Sequence, residues 1–468
     1  MATAHQIQLT ASVRGFVNTY EKLSPESADT TNALLMENHE RHHLYFDEAG
    51  LHNHIVHHLL CIYALGASPA AIQKAYENNT GYQLPTTAAD PEIAETLQDT
   101  EKFANHLGQS RYYRDYVNFF RTQIAEQGVE AFVNKYLFQG DKRADDLLGR
   151  MFSGFLHPII HLGYGLEFGQ TLIVAEALAQ AAVHPDWTLP FLWGAEAVAR
   201  SSSNSANRTL VEIMDEIRAN PKLASSVEWS DPQNKITDGL FKRSAGEIIK
   251  VAAQWRVSAG ELQEKIAEMI NAGLYMTAAA QRPDKAIRFD FFLMHCANAS
   301  YFFSIFNQIS WIPTASKARM VECMGRIHLL MYAAAKAPEV RPQDVSDYRP
   351  ARPGGWESIY SRVVTYEDDG HTAKLIRAIK NGEIVTRGFE QQPGIRLKEA
   401  NFIDIAHMVM DSVEAMDRAE EADTGKTGYS HAADLDPFVQ RVVLRWLRWA
   451  GFPEAWAGVG PRARGLGE

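Results

Sequence analysis

Through most of its length the chain repeats its apolar residues with a period near 3.6, and this excludes most folds before any motif is read. The pattern runs through Tyr113 to Glu126, Gly260 to Ala280, Ala315 to Ala335 and Lys398 to Met416. Side chains three and four apart share a helix face, whereas strands alternate with period two. An all-α fold is expected. Helix ends carry matching chemistry: Ser68-Pro69 and Asp90-Pro91 put a capping oxygen before a proline suited to the first helical position, and Gly128 suits a helix end. Asn381-Gly382 follows a helical stretch and reads as a helix cap.

A chain of 468 residues has room for more than one domain. Polar breaks fall at Asn79 to Thr87, Ser201 to Asn207, Val227 to Thr237, Pro338 to Trp356 and Glu420 to Ala433, and none is a long Gly/Ser or Pro-rich linker. Candidate ligands lie on both sides of every break but the last. The simplest organisation is therefore one large multi-helix domain over residues 1–468 around a central buried metal site. No internal repeat is visible.

Composition narrows the function. A 46% hydrophobic and 22% charged chain has ample material for a folded core. A net charge of -11 with scattered Lys and Arg argues against nucleic-acid binding. No stretch reaches the roughly 18 to 20 apolar residues of a membrane span, and Met1 to Ser12 lacks the basic start and apolar run of a signal peptide, so a cytoplasmic location without membrane contact is expected. Cys61, Cys296 and Cys323 form no C-x-x-C pair, which argues against a disulfide framework or a zinc-thiolate site. Histidine is the outlier, with 17 residues in clusters.

The first cluster surrounds His54, His57 and His58. On a helix His54 lies one turn from each of the other two, and two imidazoles one turn apart can bind one metal ion; they could also be polar and capping residues of a helix start. The second is His157-Pro-Ile-Ile-His161, where Pro158 makes His157 a helix-start residue and His161 the safer ligand. His295 sits among Phe289, Phe291, Phe292 and Tyr301, where an imidazole needs a partner. Asp368-Asp369-Gly370-His371 opens a helix that carries Lys374 one turn on, as an exposed lysine or, if neutral or carbamylated, as a ligand. The candidate metal ligands are thus His54, His58, His161, His295 and His371, with His57 and His157 as possible additions. Lys374 and Tyr164 are the candidate catalytic residues, and Lys380 or Asp369 could take the place of Lys374. His106, His184 and His431, in polar surroundings, should be bystanders.

Other motifs compete. His39-Glu40-Arg41-His42-His43 fits the His-Glu-x-x-His pattern of zinc hydrolases, so a metal-dependent hydrolase is the alternative function. Gly425-Lys426-Thr427 lacks the first glycine of a phosphate loop, and Gly163-Tyr-Gly165 and Gly458-Val-Gly460 lack the preceding strand of a dinucleotide site. No convincing flavin or nucleotide-binding motif is present.

With these residues in view the sequence resembles the questin oxidase-like family. The likeness rests on His52-Asn-His54-Ile-Val-His57-His58-Leu-Leu with Tyr63-Ala-Leu-Gly-Ala67, on Tyr76 to Gln83, on His157-Pro-Ile-Ile-His161-Leu-Gly-Tyr-Gly and on Asp369-Gly-His371, and spans about residue 40 to Trp446-Leu-Arg-Trp-Ala. The resemblance implies an oxidoreductase that cleaves a quinone ring of an aromatic polyketide in secondary metabolism, described as NADPH-dependent Baeyer-Villiger-type oxygen insertion. Joined to the histidines, it leads to the expectation of a metal-dependent oxygenase with iron (Fe2+), O2 and a small anthraquinone-like substrate, NADPH being a possible reductant.

Overall fold

The structure, a computed structural model, describes residues 2–17, 23–47, 50–201, 208–232, 234–417 and 435–462. The Gly425 to Thr427 motif and His431 lie outside these. Among the described residues no strand forms, only isolated bridges such as His42 with Pro85 and Tyr45 with His52. The fold is all-α, as the 3.6-residue period implies. In chain order the helices used below are α1 Pro25–Arg41, α2 Ile55–Ala64, α3 Tyr113–Val133, α4 His157–Glu167, α5 Thr171–Val183, α6 Leu262–Ala279, α7 Phe291–Gln308, α8 Thr314–Ala334, α9 His371–Thr386 and α10 Glu399–Asp417. Ser68 and Asp90 accept hydrogen bonds from Ala71 N and Glu92 N, capping their helices as expected. No helix among the described residues is long and apolar enough to cross a membrane.

The chain forms two compact units. One comprises Met1–Pro190, Phe302–Lys317 and Val364–Lys374, the other Phe191–Tyr301, Ala318–Val363 and Leu375–Glu468. In the first, α5 packs along α4 and α3, while α2 packs on α1 and α4. Every residue of α2 is buried, as expected for a helix apolar on all sides. The contact of α4 with α5 is close because Gly165 has no side chain: a Cβ there would stand 2.8 Å from Val174 N. A Cβ on Gly163 would fall 2.1 Å from the Phe302 ring. The Gly163-Tyr-Gly165 run is therefore a packing device in a helix.

In the second unit α6 is buried over most of its circumference. One glycine expectation needs correction and another holds. Asn381-Gly382 is not a helix cap, because α9 runs through it to Thr386; a Cβ on Gly382 would lie 2.3 Å from Leu274 Cδ1, so the glycine makes room for a neighbouring side chain. In the first unit Gly128 (φ 80°) is non-helical and ends the first of two helical runs within α3, as expected, and a second run continues to Val133.

Candidate metal centre and its histidine network

The site geometry described here belongs to the first unit, except the accounts of His295 and of Lys380 with Glu383. His157 opens α4 behind a left-handed turn in which Gly154, Phe155 and Leu156 have φ of 54°, 49° and 75°. Such backbone costs about 1–3 kcal/mol per non-glycine residue and persists where the surroundings enforce it. Here it brings the Gly154 carbonyl to His157 Nδ1, which donates to it at 2.6 Å. A carbonyl can only accept, so the Nδ1 hydrogen is fixed and, in the neutral ring, Nε2 carries the bare lone pair.

His54, at the N-terminus of α2, and His371, at the first position of α9, are prepared in the same way by one carboxylate. Asp369 Oδ2 accepts from His54 Nδ1 at 3.0 Å and Oδ1 accepts from His371 Nδ1 at 2.6 Å. The acidic pair divides its work, because Asp368 accepts instead from Gly370 N and Thr372 N and shapes the helix start. Burial opposes ionisation of Asp369, but the His371 charge and the bonds from His371 and His54 hold its carboxyl well below the usual range. Burial, reinforced by Lys374 and His371, lowers the His54 pKa to about 3 against the pull of Asp369. Burial lowers His371 as well.

Three imidazoles thus have their Nδ1 hydrogens committed, and ring nitrogens of His54, His157 and His371 lie within 4.8 Å of one another. His54 Nε2 and His157 Nε2 are 2.8 Å apart. Two ring nitrogens at that distance need a proton or a metal ion between them. Metal–nitrogen bonds of about 2.1 Å at right angles would put adjacent ligand nitrogens at about 3 Å, so the donor set fits a divalent ion.

Lys374 lies one turn along α9, 3% exposed, and its amine has no hydrogen-bond partner. Burial lowers its pKa to about 8 despite Asp369, Cys61 and Asp368. The suggestion that it is an exposed lysine is thereby corrected. Lys380 donates to Glu383 at 2.6 Å, so its amine is already engaged. Tyr164 on α4 bonds Cys61 Sγ through its hydroxyl at 2.8 Å, and its ring stacks on His57 at 5.0 Å and meets Phe302 edge-on at 4.8 Å.

His161 and His58 are engaged with other partners. His161 has both nitrogens engaged: Nε2 donates to Glu176 Oε2 at 3.0 Å and Nδ1 faces His57 Nε2 at 3.1 Å. His58 Nε2 is 4.0 Å from Asp368, and its Nδ1 is buried without a partner. Gly370 (φ 93°) lets the backbone pass His58, whose Cβ would be 2.6 Å from any Cβ added there. His295 belongs to the second unit. It is fully buried and its Nδ1 donates to the Phe291 carbonyl at 2.6 Å, which leaves Nε2 as the acceptor nitrogen there too.

Three participants escaped the sequence reading. Glu176 lies in the otherwise apolar α5, 4% exposed, and accepts from His39 Nδ1 at 2.6 Å as well as from His161. A lone acid in so apolar a helix was the available signal, since buried carboxylates are almost always paired. His52 stacks on His157 at 3.7 Å, and its Nε2 lies 2.7 Å from His184 Nε2. His184 is therefore a buried member of the network and not a polar bystander. The zinc-hydrolase pattern fails locally: α1 ends at Arg41, His42 is extended, and His43 bonds the Ser110 carbonyl, so His39 and His43 do not share a helix face.

Comparison with known proteins gives a consistent picture. Residues 51–379 match the questin oxidase-like family. The oxidoreductase AflY of Aspergillus parasiticus is 38% identical over 97% of this chain and 93% of its own length. A Baeyer-Villiger oxidase, ptaJ of Pestalotiopsis fici, is 36% identical over 88% of this chain and 94% of its own. A questin oxidase of Aspergillus fumigatus is also 36% identical over 88% and 94%. The chain belongs to the questin oxidase-like family.

Proposed function

We propose that this oxidoreductase is a non-haem iron oxygenase that cleaves a carbon–carbon bond in the ring of an anthraquinone or related aromatic polyketide. The observation that carries the reading is the convergence of His54, His157 and His371, each with its Nδ1 hydrogen tied down so that Nε2 is the acceptor nitrogen. The relatives' names, questin oxidase and Baeyer-Villiger oxidase, support the reaction class.

His54, His157 and His371 would hold the ion. His295 is a further candidate, because its Nδ1 is committed in the same way. Lys374 would add an anionic ligand once carbamylated. In that step the neutral amine attacks carbon dioxide, one nitrogen–carbon bond forms and one proton leaves. An unpartnered buried amine becomes a carboxylate that balances the cation's charge. Imidazole-rich sets with open positions suit iron(II), which when bound supplies the one-electron chemistry that O2 requires. Tyr164 and Phe302, whose rings meet edge-on, would supply apolar contact for an aromatic substrate. NADPH enters as a reductant of the substrate or the metal, with no dedicated nucleotide fold.

The test is elemental analysis of the purified protein with oxygen-uptake assays on a panel of hydroxyanthraquinones. Iron that co-purifies and oxygen consumption with ring-opened product are expected. Turnover without oxygen would replace the oxygenase by the hydrolase alternative, and labelled O2 counts the oxygen atoms incorporated.

A further inference from the structure

A cleft of about 470 Å³ lies wholly within the second unit and takes no part in the chemistry proposed above. Three helices end beside it. Arg218 lies in the last turn of Leu210–Ala219, Arg282 follows the end of α6 by three residues, and Lys336 follows the end of α8 by two. All three line the cleft, together with the exposed acids Asp284 and Glu339. A cation near a helix C-terminus complements the helix dipole, which explains each basic residue singly. It does not explain their donors. Lys336 Nζ is engaged, donating to the carbonyls of Ala224 at 3.3 Å and Val227 at 3.1 Å while standing 5.0 Å over the Phe452 ring. The two arginines are not. A guanidinium offers five N–H groups. Arg282 uses one, Nη2 donating to the Gly451 carbonyl at 3.3 Å. Arg218 has only a long ion pair with Glu339, 3.9 Å apart between two largely exposed side chains.

The backbone around the cleft is tied together before any ligand arrives. Gly451 N donates to the Ala335 carbonyl at 2.9 Å, and Arg341 N donates to the Ala279 carbonyl at 2.7 Å. Lys336 and Ala337 hold φ of 63° and 40°, a left-handed path that residues other than glycine keep only where the surroundings enforce it. A site fixed in this way loses little freedom on binding. Its volume falls in the range of small-molecule pockets, about 300–1,000 Å³, so it is built for more than a bare inorganic anion. The apolar part of the lining is alanine, proline and glycine, with no aromatic ring.

We propose that this cleft binds a phosphate monoester of a hydroxylated carbon skeleton, either a free sugar phosphate or the ribose phosphate of a nucleotide. The unengaged forks of Arg218 and Arg282 match the bidentate geometry of a phosphate, and their two charges match its dianion. A single carboxylate would call for one arginine. Asp284 and Glu339 repel a bare anion, yet they accept hydrogens from hydroxyl groups, so the skeleton that follows the phosphate carries hydroxyls. With no ring in the lining to stack on, a flat aromatic body gains little there. Binding takes Arg218 away from Glu339, and an exposed pair at 3.9 Å contributes too little to oppose the exchange. The step is non-covalent and independent of the metal reading.

The experiment is isothermal titration of the purified full-length protein with ribose 5-phosphate, in a phosphate-free buffer of low ionic strength so that the charges are little screened. Wild type should bind it saturably at a single site, and ribose without the phosphate should not bind. Arg218→Gln and Arg282→Gln should each weaken binding by about 10–100-fold, the loss of a charged hydrogen-bonding partner. Arg111→Gln, an exposed arginine of the first unit, should change nothing. Neither cleft arginine is buried, so both variants should fold, as melting without ligand will show. Bound ribose 5-phosphate should also shield Arg282 from phenylglyoxal, read by mass spectrometry of its peptide. AMP that binds more tightly than ribose 5-phosphate assigns the ligand to a nucleotide, and AMP that binds no more tightly assigns it to a free sugar phosphate. Succinate or inorganic phosphate binding as tightly as the ester overturns the assignment to a phosphate monoester. Absence of saturable binding by both esters at millimolar concentration, or binding that both glutamine variants leave unchanged, overturns the site.

Discussion

Asp369 is the side chain on which the proposed metal centre turns, because one carboxylate fixes the tautomer of two imidazoles at once. An amide offers one acceptor oxygen and one donor nitrogen, so Asp369→Asn can satisfy only one of them. Metal affinity should fall by about 10–100-fold with the fold intact, measured by competition with a chelator; unchanged affinity would show that the pairing is incidental. Lys374→Met should separate two effects. Removing a buried amine that has no partner should stabilise the metal-free protein by roughly 1 kcal/mol, while loss of the anion should weaken metal binding and turnover. A variant that keeps full metal and activity removes Lys374 from the site. At this scale the sequence made His54 and His371 legible through spacing and the Asp-Gly-His start. It undervalued His157, because the effect of Pro158 was clear but the left-handed turn that aims the ring was not. Glu176 and His184 were missed or misread because their partners lie 15 to 137 residues away, in contacts that no local pattern encodes.

Among the elements, the starts of α4 and α9 are where backbone conformation is spent on function. Gly370 combines φ 93° with a His58 Cβ that would stand 2.6 Å from its own, so Gly370→Ala is strained in conformation and in space. It should lose about 2 kcal/mol in urea denaturation and reduce metal occupancy by shifting His371. Gly246 is the opposite case, a helical glycine in Phe241–Ala252 with nothing within 4 Å, and Gly246→Ala should be neutral or stabilising by up to about 1 kcal/mol. Equal effects from the two would contradict this account of α9. Helices and their proline-led starts were readable because period and capping are local. Gly382 was misread as a cap because its reason for being glycine is Leu274, more than a hundred residues earlier.

For the molecule as a whole, buried histidines set the pH response. Burial lowers His54 to about 3, His184 to about 4 and His328 to about 3. A base whose folded pKa is depressed binds protons more readily when unfolded. Its stability is intact above the unfolded value of about 6.5 and is lost as pH falls toward the folded value. At pH 5 unfolding should take up about three protons or more through these residues, so stability of the metal-free protein should drop by about 4 kcal/mol per pH unit, read from urea midpoints between pH 6 and 4.5. A flat profile there would mean that these imidazoles are not buried neutral.

The reading of the whole molecule as an iron oxygenase is tested most directly by oxygen consumption with a hydroxyanthraquinone before chelation, after chelation and after iron(II) is restored. Uptake that disappears with the metal, returns with iron in wild type and fails to return in His371→Ala is the predicted result. Uptake that survives complete removal of metal would contradict it.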